Sequence, residues 1–118
     1  LWAQMVEQND PKLWGRIVDG LRGCATWNDV LNDKAYEGIW GDDSRMASEV
    51  LSRLTGSENY RREMARAQAE IADAKGVFDK AEKVSVWENV KKALRLFLDK
   101  VKSLIQKGES RKQKPFGT

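Results

Sequence analysis

Histidine is absent from the 118-residue sequence, and cysteine occurs once, at Cys24. Without histidine this stretch holds no Ser–His–Asp triad, no histidine general base and no histidine-based zinc cage. A single cysteine forms no internal disulfide, which excludes a disulfide-stapled secreted domain. Two prolines and nine glycines exclude a collagen-like or low-complexity chain. No run approaches the roughly 18 apolar residues of a membrane span, so no transmembrane helix is expected. No basic, apolar and then small-residue leader pattern opens the chain, so a secretory signal is not expected either.

What is present is the composition of a folded domain. Hydrophobic residues make up 41% of the chain and charged residues 33%, enough to bury a core without staples. The charge is uneven. Residues 1–60 carry six basic and ten acidic side chains, a net −4; residues 61–118 carry fifteen and eight, a net +7. The basic excess therefore belongs to the second half. From Gly108 the chain reads GESRKQKPFGT, and 108–118 is expected to be a disordered basic tail behind a single helical domain over 1–107.

Hydrophobic periodicity predicts helices throughout. The first spans about 1–8, with Leu1, Trp2, Met5 and Val6 at helical spacing. Asn9-Asp10-Pro11 stops it and starts the next, because Asp10 caps and Pro11 suits a first turn. That second helix, about 11–22, points Leu13, Trp14, Ile17, Val18 and Leu21 inward. Gly15 and Gly20 inside it suggest close packing, and Gly23 suits its end. Thr26 is read as the cap of a short helix holding Trp27, Val30 and Leu31. Residues 33–43 read as an irregular loop, with a weak strand pattern at Tyr36–Trp40. Asp42, Asp43 and Ser44 open a helix that runs to Leu54 and stops at Gly56.

Two long helices are expected to follow. In the first, Ser57 to about Val84, the residues Tyr60, Met64, Ala67, Ile71, Ala74 and Phe78 form a narrow seam, with Gly76 as its weak point. The second spans Ser85–Lys107, with Ser85 as its cap. On a helical wheel Trp87, Val90, Ala93, Leu94, Phe97, Leu98, Val101, Leu104 and Ile105 share an arc of about 140°. Lys91, Lys92, Arg95, Asp99, Lys100 and Lys102 take the other side, and Leu96 alone falls among them. This amphipathic helix offers a face to its own domain, to a protein partner or to a membrane surface. Trp2, Trp14, Trp27 and Trp40 recur every 12–13 residues. The period is too short for a solenoid, so the three that open similar strings, Trp2, Trp14 and Trp27, read as independent core anchors. The expected fold is all-α: five to six helices in an irregular bundle around Trp14, Ile17, Leu21, Val50, Leu54, Ile71, Leu94, Phe97 and Val101.

Few residues invite chemistry. Cys24 sits among apolar neighbours and reads as an inert thiol. Asp42-Asp43 reads as a helix cap rather than a cation site. Glu49 lies on the flank of an apolar helix face with Arg45 at i−4 and Arg53 at i+4, which suggests surface ion pairs. No catalytic and no cofactor-binding residue is assigned.

The opening LWAQMVEQNDPKLWGRIVDGL, the stretch TWNDVLNDKAY and above all RMASEVLSRLTG resemble the zincin-like metallopeptidase domain of phage and mobile-element polyvalent proteins. The likeness covers roughly residues 1–56. In that family an HExxH helix runs into a segment like Leu1-Trp2-Ala3, and a later helix resembling Ala47-Ser48-Glu49-Val50-Leu51 supplies an acidic zinc ligand. HExxH places two histidines on one helix face, and its glutamate activates a zinc-bound water. The resemblance implies that the chain is the part C-terminal to HExxH and that Glu49 is a metal ligand only beside an upstream HExxH. It further implies zinc in the full-length parent alone, with the upstream part of that parent as partner. These residues would then be inactive by themselves, from a bacterial or phage-encoded cytoplasmic protein. The alternative reading is a non-enzymatic helical protein-interaction module working through the amphipathic last helix. Nucleic-acid binding by the basic half, steeply salt-dependent, ranks third.

Overall fold

The computed structural model describes residues 2–107 with their side chains and 108–117 by backbone alone. The tail expected to be disordered over 108–118 lies outside the fully described part. Among the described residues the chain is all-helical, with no strand. Six α-helices run in order: α1 (Trp2–Asn9), α2 (Pro11–Leu21), α3 (Ala25–Leu31), α4 (Asp43–Leu54), α5 (Ser57–Ala72) and α6 (Val77–Gly117). A 3-10 helix, η1 (Lys34–Ile39), bridges α3 and α4. None of the helices is long and apolar enough to cross a membrane, among the described residues.

The helix starts follow local chemistry. The Leu13 N–H donates to Asp10 Oδ1 at 3.1 Å, and Pro11 opens α2 where its missing N–H costs nothing. The Arg45 N–H donates to Asp42 Oδ1 at 3.1 Å to start α4. Gly23, at φ +85, turns the chain out of α2. In the first half of the chain, two starts differ from the sequence reading. α3 is capped by Cys24, whose Sγ accepts from the Trp27 N–H at 3.4 Å, and not by Thr26. The stretch read as loop or weak strand at 36–40 lies in η1 up to Ile39, with Trp40 as its C-cap; Asp33 caps the start by accepting from the Ala35 N–H.

The core joins α1, α2, α3, α4 and α6. Val6, Ile17, Leu21, Val30, Met46, Val50, Leu51 and Val90 are fully enclosed, and Trp14, Trp27, Leu54, Trp87, Leu94 and Phe97 are buried around them. Ile71 and Val101, expected at the centre, lie partly buried at its edge. α6 packs chiefly on α2. Gly20 permits this: a Cβ there would stand 2.9 Å from the Asn89 carbonyl oxygen and 3.0 Å from Ala93 Cβ. Gly15 faces open space and has no such role.

The two long helices divide elsewhere than expected. α5 ends at Ala72, Gly76 adopts φ +91, and α6 begins at Val77. Glycine takes that backbone conformation without the clash a Cβ brings. Ser85 consequently lies inside α6 and caps nothing. The seam holds from Tyr60 to Ile71, all against the core, and then fails. Phe78, beyond the break, is 92% exposed.

Candidate functional site

Glu49 stands half-buried on the flank of α4. Its Oε1 accepts from Arg53 Nε at 3.2 Å. Arg45, the other expected partner, turns instead to Asp42 at 3.5 Å. The Arg53 guanidinium lies 5.0 Å from the centre of the Tyr36 ring. Tyr36 most, and then Glu49, push the guanidinium above its ordinary range against the opposing effect of burial. Glu49 thus belongs to an α4–η1 contact. The face of α4 toward α1 is made by Ser44 and Ser48 instead: Ser44 Oγ donates to Glu7 Oε2 at 2.8 Å and accepts from Trp14 Nε1 at 3.1 Å. No group of three or more Cys, Asp or Glu side chains suited to a metal ion occurs among the described residues. A single carboxylate already bound to an arginine does not by itself make a zinc site, and no chemistry through a metal is derived for this chain.

Cys24 is buried at the start of α3. Its thiol is pushed up to about 12, first by burial and next by the neighbouring Glu63 carboxylate. It is therefore protonated and unreactive at neutral pH. Glu63 was missed in the sequence, where it reads as one of many α5 charges. Its side chain is only 3% exposed. Oε1 accepts from the Thr26 N–H at 3.3 Å, and Oε2 meets Arg66 at 3.4 Å. Arg66 continues to Asp29 at 2.9 Å. The carboxylate satisfies an orphan N–H of the first turn of α3 from another helix. All its partners are internal, which makes it a structural tie between α3 and α5.

The accessible feature with recognition potential lies along α6. Its apolar arc is wider than the bundle covers. Close approach at Gly20 draws α6 toward α2, and Leu96, expected among the polar residues, is partly buried there, beside Gly20 and Ala93. The opposite edge of the arc is left open: Leu98 is 52% and Ile105 43% exposed. Two depressions flank Leu98. One, of about 340 Å³, is lined by Trp2, Ala3, Ser48, Leu51, Ser52, Thr55, Phe97, Leu98 and Val101. The other, of about 430 Å³, is lined by Leu54, Thr55, Ser57, Tyr60, Lys91, Leu94, Arg95 and Leu98. Leu98 and Thr55 border both, so the two form one groove divided by Leu98. Trp2, read as a core anchor, is 41% exposed and walls its far end.

The apolar face of this helix, Leu98 included, was legible in the sequence, but not which edge of it the bundle leaves open. The 140° width of the arc was the available signal, since a helix packed on one side seldom covers that much. The chain matches no protein-family model, no curated protein and no solved structure.

Proposed function

We propose that this chain is a non-enzymatic helical protein-interaction module whose groove receives an amphipathic helix. The observation that carries the reading is the continuous groove around Leu98, floored by Leu51, Leu54, Leu94 and Phe97 and walled by Trp2 and Tyr60. An apolar, concave, elongated surface between helices suits helix-in-groove recognition through residues at i, i+3, i+4 and i+7. Apart from Lys91, Arg95 and the Tyr60 phenol, the polar lining is the hydroxyls of Ser48, Ser52, Thr55 and Ser57, with no carboxylate or histidine to serve as a base, which fits docking better than catalysis. The test is binding of a helix-forming peptide with leucines at those spacings and glutamines elsewhere, followed by fluorescence anisotropy. Binding lost in Leu98→Glu supports the module. No binding, or binding indifferent to Leu98→Glu, removes it.

A second reading rests on the RMASEVLSRLTG segment, which runs in α4 as far as Leu54, with Glu49 partly accessible on it. On this reading the chain is the part C-terminal to HExxH of a zincin-like metallopeptidase domain from a phage or mobile-element protein. Glu49 would become a zinc ligand only on leaving Arg53, and these residues alone would have no peptidase activity. The DNA upstream of the Leu1 codon tests it. An in-frame HExxH ending just before Leu1 supports the reading; upstream sequence without that motif removes it.

A further inference from the structure

The charged side chains that line the groove, Lys91 and Arg95, are both cations. Lys91, Arg95 and Lys102 follow at intervals of four and seven residues, which sets all three on the side of α6 next to Leu98. Lys91 is shared with Glu88 at 2.9 Å. Neither Arg95 nor Lys102 has an ion-pair partner among the described residues. No acidic side chain lines either depression, among the described residues.

We infer that the groove selects an acidic amphipathic helix of a partner protein, and this rests on the docking function proposed above. The partner's apolar stripe fills the two depressions on either side of Leu98. Its carboxylates run along Lys91, Arg95 and Lys102, where complementary charge sets orientation and rejects wrong partners. Lys91 and Lys102 stand about 16 Å apart along a helix axis, which three turns of a partner helix match. A second copy of this chain fits poorly, because its own apolar helix would bring the same cations to the same rim. A flat anionic membrane would meet the cations but not the recessed floor of Leu51 and Phe97.

Three peptides with one leucine stripe and Glu, Gln or Lys flanks distinguish these cases. The Glu peptide is expected to bind about tenfold more tightly than the Gln peptide at low ionic strength, and the advantage shrinks as salt screens the rim. The Lys peptide binds weakest. The triple variant Lys91→Glu, Arg95→Glu, Lys102→Glu, checked for helicity by circular dichroism, reverses the order of the Glu and Lys peptides. Equal binding of the Glu and Gln peptides overturns the acidic preference while the docking function stands. Failure of all three peptides removes both. Tight binding to phosphatidylserine vesicles that the Glu peptide does not displace overturns the inference in favour of a lipid surface.

Discussion

Cys24 combines two functions in one side chain. Its sulfur caps α3 while its body fills the core; the capping N–H favours the thiolate, but burial and the neighbouring Glu63 carboxylate outweigh it and keep the thiol neutral. A free thiol near its ordinary value of 9.0 ionises in the unfolded chain, whereas the folded one is held up to about 12. Between those values the unfolded state has lost a proton that the native state keeps. Stability from this group is therefore complete below about pH 9 and falls as pH rises toward 12. Two outcomes are expected. At pH 8 the folded protein reacts with a thiol reagent far more slowly than in denaturant, and its urea midpoint declines from pH 9 upward more steeply than that of Cys24→Ser. A fast native reaction at pH 8 would contradict the enclosed thiol.

At the level of elements, the α2–α6 crossing decides where everything else stands. Gly20 lets the Asn89 carbonyl and Ala93 approach so closely that an added methyl has no room. Gly20→Ala gains about 1 kcal/mol of helix propensity, yet forcing two backbones apart costs about 1–3 kcal/mol, and the net effect is destabilising. Gly15→Ala, five residues earlier on the same helix, meets nothing and gains its propensity in full. Urea unfolding of the two variants should move in opposite directions. The caps at Asp10 and Asp42, the bounds of α4 and the apolar side of α6 were legible in the sequence because each depends on neighbours within a turn or two. The Glu63 tie to α3 spans 37 residues, and no local pattern marks it. The break at Gly76 was visible as a weak point but not as a boundary. Helical periodicity runs through Phe78 on paper, and only the packed structure shows that Phe78 has nothing to pack against.

For the molecule as a whole, the groove joins a floor of core residues to an open edge, Leu98 and Ile105, that folding is expected not to need. Leu98 and Phe97 are adjacent in sequence, but Phe97 is buried and Leu98 is not. That difference separates a surface kept for folding from one left for recognition. Phe97→Ala opens a cavity in the core and is expected to cost about 3–5 kcal/mol. Leu98→Ser with Ile105→Ser removes more exposed apolar surface, yet should change stability by only about 0.5 kcal/mol per site, as is usual away from the core. The same double variant should lose most of the binding of an environment-sensitive apolar dye, since exposed apolar surface of this kind is where such dyes adhere. If Leu98→Ser with Ile105→Ser unfolds the protein as readily as Phe97→Ala does, the groove is part of the core. If stability holds and dye binding falls, the open edge of α6 is surface that the fold can dispense with, as a docking site for another helix requires.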